Sequence, residues 1–209
     1  MMAIMRNAPT KRADSKQESQ DRILDAAARR LREEGLTGAG IAAVMRDAGL
    51  THGAFYSHFD TKDELAGAAF AHAIGTGRPR WIKPPRGESW RARLTSLAKR
   101  YLTPAHRDDL ATSCAFAALG SEAARGSDEF RAAYERELRT SLAAICGDDT
   151  DDQRLDEAIA LMALCVGGMT LSRAVADPEF SARILHCART AAAKVADDQP
   201  HRGERHGQR

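Results

Sequence analysis

Residues 49–65 read Gly-Leu-Thr-His-Gly-Ala-Phe-Tyr-Ser-His-Phe-Asp-Thr-Lys-Asp-Glu-Leu, and this stretch decides the fold. After a turn at Gly49, Phe55 and Phe59 are spaced i, i+4, so they share one face of a short helix. The opposite side is polar, with Lys62 just beyond the helix; its members are Thr51, His52, Tyr56, Ser57 and His58. Because a helix with so polar a face is not covered by a core on all sides, the sequence predicts an exposed helix over 51–59.

A second short helix is predicted immediately before this turn. Its apolar residues recur at i, i+3, i+4 and i+7, as in an amphipathic helix over 40–48; they are Ile41, Val44, Met45 and Ala48. Two short helices joined at a glycine, the second with a polar face, form a helix-turn-helix.

A longer helix is predicted to precede this pair. It is expected to begin between Ser15 and Gln20, where Ser15 and Glu18 have the spacing of a capping box. It is expected to end at Gly35, since glycine favours the left-handed conformation that follows a helix.

The rest of the chain also reads as helical, because runs of Val, Ile and Thr that favour strands are missing. A fourth helix is expected from Thr61, followed by a Gly- and Pro-rich segment, 75–87, that should not be helical. Five more helices are expected at about 88–102, 114–125, 127–146, 151–176 and 178–195. The prediction is an all-α chain of about nine helices, divided into a flexible basic arm (1–17), a three-helix domain with the helix-turn-helix (18–65), a larger helical domain (66–197) and a disordered tail (198–209).

Composition says little about the functional class of the protein. The formal net charge of the 209 residues is +2, which is too weak to argue for nucleic acid by itself. The amino-terminal arm, however, carries Arg6, Lys11, Arg12 and Lys16 against Asp14, so it is a candidate for contact with DNA phosphates.

The chain shows no sign of a metal, cofactor or membrane requirement. The four cysteines are widely spaced and form no C-x-x-C, and no H-E-x-x-H occurs, so neither a metal nor a cofactor is expected. No signal-peptide pattern is present. The apolar run over 158–171 is too short to span a bilayer, so the expected location is the cytoplasm, without membrane association.

The helix predicted at 151–176 is apolar on most of its circumference. One stripe consists of Leu155, Ile159, Met162, Val166 and Met169, and a second of Ala158, Leu161 and Cys165. Such a helix must be covered on both sides. Either a second subunit covers one side, or the helix is the central helix of a monomeric bundle.

The segment 35–65, with Phe-Tyr-x-His-Phe and a lysine at a fixed offset, resembles the DNA-binding domain of the TetR/AcrR family of transcriptional regulators. The resemblance implies that 18–65 is a DNA-binding domain and that 66–197 is an effector-binding and dimerisation domain. It also implies an all-helical homodimer that pairs through its last two helices, 151–176 and the helix beginning at Pro178. It further implies that two recognition helices enter successive major grooves of a near-palindromic operator, and that a small-molecule effector releases the DNA.

The resemblance also assigns roles along the recognition helix. His52, Gly53 and Tyr56 match base-contact positions of the family. Thr51, Ser57, His58 and Lys62 match phosphate-contact positions, and Phe55 and Phe59 should be core. One departure is visible at the start of the preceding helix, where Ala39 and Gly40 replace the usual Thr or Ser and offer no side-chain oxygen to the helix or to a phosphate.

The sequence gives weaker evidence about the effector site than about the DNA-contact residues. Side chains that could line an effector pocket are Trp90, Tyr101, Phe116, Met162, Cys165 and Met169, although each could equally be plain core. Cys114 is a candidate sensor thiol: if Ser113 caps the next helix, Cys114 lies in its first turn, where the thiolate is favoured. That position also suits a small buried residue.

Two rival classes remain at this point. An enzyme would need an acid or base partnered with a nucleophile in a plausible motif, and none is seen in the sequence, so no catalytic residue is assigned. A helical adapter that binds only protein would not require the polar face of Tyr56, His58 and Lys62. The expected partner is therefore double-stranded DNA.

Overall fold

The structure of the chain, a computed structural model, describes residues 11–84, 87–148 and 151–195. These residues form helices and connecting segments without a β-strand, so the all-α prediction is confirmed. The helices are α1 (Lys11–Gly38), α2 (Ile41–Asp47), a 3₁₀ helix η1 (His52–Ser57), α3 (Lys62–Trp81), α4 (Trp90–Tyr101), α5 (Pro104–Asp108), α6 (Ala115–Ala123), α7 (Asp128–Cys146), α8 (Asp152–Ala174) and α9 (Pro178–Ala192).

The helices fall into two compact units. The first unit contains the described residues up to Gly77 together with Leu110–Glu137, and the second contains Arg78–Asp109 together with the described residues from Leu138 onward. α3 and α7 therefore each contribute to both units. The domain boundary predicted between residues 65 and 66 stays a prediction.

α1 begins earlier than the sequence analysis predicted. The helix starts at Lys11, so Ser15 lies within it and the Ser15–Glu18 capping box does not form. Instead, the Ser15 carbonyl accepts a hydrogen bond from Ser19 Oγ (2.9 Å). Residues 11–17 contain no Gly or Pro and several good helix formers, which is why the helix extends through part of the predicted arm. Arm residues 1–10 and the predicted tail, 198–209, lie outside the described residues.

The recognition segment also differs in type from the prediction. η1 is a 3₁₀ helix rather than an α-helix, with hydrogen bonds from Ala54 N–H to the Thr51 carbonyl (3.1 Å) and from His58 N–H to the Phe55 carbonyl (2.9 Å). Thr51 is the N-cap, as predicted, but its side chain makes no capping bond. Gly53 lowers the helix propensity of this six-residue segment, and a short segment readily takes the tighter 3₁₀ winding.

The core of the first unit explains why η1 is held firmly. Phe55 and Phe59 are 0% and 3% exposed, as predicted for core residues. The same unit contains an aromatic cluster in which Phe70 stacks on Tyr134 with ring centroids 5.1 Å apart. Phe116 completes this cluster, at 5.5 Å from Phe70.

α3 continues into the first part of the segment 75–87, which was predicted not to be helical. Gly75, Gly77 and Pro79 all lie inside it, and the helix ends only at Trp81. Pro79 removes one intrahelical N–H. The end of the helix is nevertheless fixed by tertiary contacts, because Arg100 Nη2 donates to the Trp81 carbonyl (2.9 Å) and Arg78 Nε donates to Ser141 Oγ (3.2 Å).

The second unit is built around α8 and α9. The two helices approach closely at Gly168, where an added Cβ would lie 2.7 Å from Ala188 Cβ. The predicted N-cap of α9 is confirmed, since Asp177 Oδ1 accepts from the N–H groups of Glu179 (2.8 Å) and Phe180 (3.1 Å). α5 is a short helix that the sequence analysis did not predict; Thr103 Oγ1 caps it.

α8 is apolar on its packed side and also on part of its open side. Leu161, Cys165 and Met169 are fully buried, whereas Ile159 is 47% exposed. By length and composition alone, α8 would suffice to cross a bilayer, and it is the one described helix that meets this test. The core helix of a soluble protein meets the same test, and 39% of the apolar window is buried.

Candidate nucleic-acid interface

The polar face of η1 is open to solvent. Thr51, His52, Gly53, Tyr56 and Ser57 are all exposed, and the Tyr56 side chain is 64% exposed. His52 and Tyr56 lie side by side, with ring centroids 6.2 Å apart. The residues assigned to base contact thus form one continuous outward surface, and none is covered by the rest of the first unit.

This surface stands on a buried aromatic support. The ring of Phe55 packs edge-on against Tyr56 (5.2 Å between centroids, 85° between planes) and lies 5.9 Å from Phe59. Because Phe55 and Phe59 are buried, the direction of Tyr56 is set by packing beneath it. A rigidly presented polar group suits recognition, since no ordering of the backbone is needed on binding.

Gly53 leaves a gap in the same surface. A Cβ built on Gly53 would meet no atom within 4 Å. The glycine is therefore not required by packing inside the first unit. Its lack of a side chain instead lets an external partner approach the backbone of η1 closely.

Lys62 is placed by a local capping box. Glu64 N–H donates to Thr61 Oγ1 (3.0 Å), and Asp60 N–H donates to Glu64 Oε2 (2.7 Å). These two bonds fix the start of α3 at Lys62, whose side chain is exposed. The predicted helix start near Thr61 is confirmed, and the lysine is presented as an exposed positive charge next to η1.

His58 differs from the other polar residues of the segment. It is half-buried at the C-cap of η1, and its Nδ1 atom is buried without a hydrogen-bond partner. Burial, with a smaller contribution from the Lys16 ammonium, lowers the pKa of His58. The ring is therefore uncharged at neutral pH, and the positive charge beside η1 comes from Lys16 and Lys62. Lys16 was predicted as part of the basic arm, but the structure places it in α1.

An ion-pair cluster holds α1 against α2. Arg30 Nε lies 2.7 Å from Asp47 Oδ2, and Arg30 Nη1 lies 2.9 Å from Glu34 Oε2. The hydrogen bond from Arg30 lowers the pKa of Asp47. The sequence analysis missed this pair, because Arg30 and Asp47 are on different helices and no local periodicity links them. Their role is to fix the helix that precedes the turn.

The start of α2 has the departure that the sequence predicted. Gly40 is the N-cap, with extended φ and ψ of −69° and 142°, and it provides no side-chain capping bond. A Cβ at Gly40 would also meet no atom within 4 Å. The position is open, so a side-chain oxygen could be accommodated there.

The residues predicted to line an effector pocket are distributed over both units. Phe116 belongs to the first unit, whereas Trp90, Tyr101, Met162, Cys165 and Met169 belong to the second. Trp90 is half-buried, and its indole N–H donates to Glu157 Oε2. The other four residues of the second unit are buried. The effector pocket stays a prediction.

A buried histidine, His106, lies beside Tyr101, and the sequence analysis did not name it. His106 is 4% exposed, and its Nδ1 lies 2.7 Å from the Tyr101 carbonyl oxygen, so Nδ1 carries a proton. Burial lowers the pKa of His106 to about 4, against the opposing effect of the Tyr101 hydrogen bond. Arg173 Nη2 donates to the His106 carbonyl (2.8 Å) and so links α5 to α8.

Cys114 does not lie where the sequence analysis predicted. It is itself the N-cap of α6, rather than a residue of the first turn capped by Ser113. It is 8% exposed, and Ser113 Oγ is buried without a partner. The reason for the shift is that α6 begins one residue later, at Ala115. Among the described residues, no three His, Cys, Asp or Glu side chains gather into a group that would hold a metal.

Comparison with known proteins places these features in a family. Residues 23–69, which contain the ion-pair cluster, η1 and Lys62, match the family model for bacterial regulatory proteins of the tetR family. A comparison with curated proteins finds no significant match.

Solved structures share the fold over most of the chain. A transcriptional regulator from Rhodococcus sp. Rha1 is 28% identical, with 87% of this chain and 100% of that chain covered and a TM-score of 0.62. A TetR transcriptional regulator from Chloroflexus aurantiacus J-10-FL is 23% identical, with coverage of 87% and 95% and a TM-score of 0.64. The reduced form of Escherichia coli NemR is 17% identical, with coverage of 84% and 95% and a TM-score of 0.67. The amino-terminal helices thus match the TetR family of bacterial regulatory proteins over residues 23–69, and the described helices share the fold of solved TetR-family transcriptional regulators.

Proposed function

We propose that this chain binds a near-palindromic operator in double-stranded DNA as a homodimer, represses transcription there and is released by a small-molecule effector. The observation that carries the proposal is the exposed polar face of η1 on a buried aromatic support. In this proposal the chain acts in the cytoplasm and has no enzymatic role.

The proposed contacts divide into two groups. His52, Gly53 and Tyr56 face base edges in the major groove, where the imidazole and the phenol can donate or accept hydrogen bonds. Thr51, Ser57, His58 and Lys62 contact phosphates and fix the position of η1 on the duplex. The neutral state of His58 supports a role as a hydrogen-bond donor to phosphate rather than as a cation.

The proposed homodimer uses the outer faces of α8 and α9. Large apolar side chains on these helices are exposed in the single chain, with Ile159 at 47%, Leu171 at 59% and Phe180 at 52%. Several large exposed side chains on two adjacent helices are typical of an interaction surface. Pairing of α8 and α9 with their symmetry mates would bury them and place the two η1 segments on half-sites about 34–36 Å apart.

The alternative function is a repressor that senses electrophiles through Cys114. Its support is the position of the thiol at the N-terminus of α6, where the helix macrodipole favours a thiolate. Burial of the side chain opposes this reactivity. The test is electrophile treatment followed by an operator-binding assay: if the Cys114→Ser variant still releases DNA, the thiol is not the sensor.

The principal test starts from DNA selection. The unaltered chain is used to enrich duplexes from a randomised library, and the enriched duplex becomes the probe for binding measurements. We expect Tyr56→Ala to weaken binding roughly tenfold or more, since each lost base contact costs about 1–3 kcal/mol. The control is Leu110→Ala, which removes another exposed large side chain of the first unit.

Lys62 provides a second, independent measurement. Lys62→Ala should weaken binding to all sequences alike and reduce the slope of log K against log salt by about 1. Lys99→Ala, which removes an exposed lysine of α4, should leave that slope unchanged. Failure to enrich any duplex, or binding that is unaffected by both Tyr56→Ala and Lys62→Ala, would contradict the proposed function and favour a protein-binding adapter.

A further inference from the structure

A break inside α1 is held by a side chain from α6. At Gly35 the backbone leaves the helix with φ 74° and ψ −172°. The next amide, Leu36 N–H, donates to Glu122 Oε2 at 2.6 Å. The break therefore has a specific partner, a carboxylate that is 86 positions away in the sequence.

The location of Glu122 makes this contact informative. Glu122 lies in the last turn of α6, where the helix macrodipole disfavours an acidic side chain. Local helix electrostatics therefore do not account for a glutamate at this position. A charge-assisted hydrogen bond to Leu36 N–H does account for it, since bonds of this kind are about twice as strong as neutral ones.

Gly35 and Glu122 are also matched in shape. A Cβ built on Gly35 would overlap the Glu122 carboxylate. The left-handed φ of Gly35 independently favours glycine. The φ of Gly35 is what restricts this position to glycine, because the atoms that a Cβ would meet are the movable end of the Glu122 side chain.

A second hydrogen bond ties the same turn of α1 to the segment before α6. Arg32 Nε donates to the Ala111 carbonyl at 2.6 Å. Arg32 is one turn ahead of Gly35 on α1. The end of α1 is thus fixed at two points by residues from 110–123, and not only by its contacts with α2.

The anchored turn leads directly into the helix-turn-helix. The Gly35 carbonyl accepts from Ala39 N–H (3.3 Å), and the adjacent Gly40 is the N-cap of α2, whose carbonyl accepts from Val44 N–H (3.0 Å). These hydrogen bonds, joined by the backbone between Ala39 and Gly40, connect Glu122 to the first turn of α2. Because Gly40 has no side chain to cap α2, these backbone hydrogen bonds contribute more to fixing the N-terminus of α2.

We propose that Glu122 is a positioning residue for DNA binding: by holding Leu36 N–H, it fixes the start of α2 and hence the pose of η1 in the major groove. The proposal rests on the proposed function of η1 as the DNA reader. It assigns to a residue of α6, outside the matched segment 23–69, control over operator affinity without any contact with DNA.

The test compares Glu122→Ala and Glu122→Gln in the full chain, using the duplex enriched by the unaltered chain. Glu122→Ala should weaken specific binding by about tenfold, and Glu122→Gln, which keeps a neutral acceptor, by about threefold. Both variants weaken the hydrogen bond of Leu36 N–H, so the amide-proton NMR resonance of Leu36 should move to lower chemical shift. The control is Glu129→Gln, which neutralises an exposed acid at the start of α7.

The comparison with non-specific DNA separates positioning from simple loss of stability. A mispositioned η1 keeps its charges, so binding to an unrelated duplex should change by less than twofold while the specific affinity falls. A loss of folded protein would lower both affinities in the same ratio. If Glu122→Ala is too unstable to measure, the test uses the two affinities of Glu122→Gln together with the chemical shift of its Leu36 amide proton.

The two proposals fail differently. Unchanged specific binding in both Glu122 variants, or an equal loss on both duplexes, would overturn the positioning role, while Tyr56→Ala would still be defective. If Tyr56→Ala and Lys62→Ala also bind like the unaltered chain, the proposed function itself is wrong.

Discussion

The imidazole of His106 stacks on the indole of Trp81, with centroids 4.1 Å apart and 27° between the ring planes. Tyr101 closes the arrangement edge-on, 4.5 Å from the imidazole. A histidine held between two aromatic rings and buried to this degree is neutral in the folded chain. It therefore makes the stability of the second unit depend on pH.

The direction of that dependence follows from the pKa of His106. Its pKa is about 4 in the folded chain and about 6.5 in an unfolded one, so the unfolded chain takes up the proton first as the pH falls. Stability should be fully present above pH 6.5 and should be lost progressively between about 6.5 and 4. His106→Asn keeps a donor for the Tyr101 carbonyl but does not titrate, so its urea midpoint should fall less over this range. Parallel curves for the variant and the unaltered chain would contradict the prediction, and His186→Asn, an exposed histidine, is the control.

Gly53 offers a substitution that separates folding from binding. Gly53→Ala meets no atom within 4 Å in the chain itself, so the melting temperature should be unchanged or slightly higher. Operator affinity should fall by roughly tenfold, because the added methyl group occupies space that a base edge would take. Gly75→Ala is the matched control, since it is also an open glycine, in α3. Equal operator affinity of Gly53→Ala and the unaltered chain would remove Gly53 from the contact surface.

Gly40 allows a gain of function to be tested. Gly40→Ser supplies the side-chain oxygen that α2 lacks, which should add a few tenths of a kcal/mol to the free energy of unfolding. Operator affinity should rise by about threefold if the hydroxyl also reaches a phosphate. Gly40→Ala, which adds a carbon without an oxygen, should give neither gain. If operator affinity changes only in proportion to the free energy of unfolding in both Gly40→Ser and Gly40→Ala, residue 40 acts only as a helix cap and not as a phosphate contact.

The outer face of α8 can be tested through the oligomeric state. Ile159→Glu places a charge on a side chain that is 47% exposed in the single chain, so the fold should persist. Buried against a second copy, the charge would be costly, and size-exclusion chromatography at micromolar concentration should show a monomer. Leu110→Glu, on an exposed leucine of the first unit, should leave the elution volume unchanged. A dimer that survives Ile159→Glu would exclude this face as the interface.

Much of the candidate site was predictable from the sequence because its features are local. The i, i+4 pair of Phe55 and Phe59 predicts their burial, and the polar residues between them predict exposure. The helix start at Thr61 follows from the same kind of short-range pattern. By contrast, the 3₁₀ winding of η1 was not predicted, because no periodicity over six residues distinguishes it from a short α-helix.

The wrong prediction for the end of α3 has a tertiary cause. α3 was expected to stop before Gly75, yet Arg100 and Ser141 hold its last turns. The partners concerned are distant in sequence. A rule about glycine and proline describes only the local preference for a helix, and tertiary hydrogen bonds outweighed it here.

The sequence by itself therefore determined the all-helical class, the helix-turn-helix and the resemblance of residues 23–69 to the TetR family, because periodicity, glycine turns and a spaced motif act within a few residues. Only the tertiary structure decided which residue supports the end of α1. Glu122 and Leu36 are 86 positions apart, and their hydrogen bond exists only after α1 and α6 have packed together. The energy of such a contact depends on three-dimensional proximity, which no local pattern in the chain records.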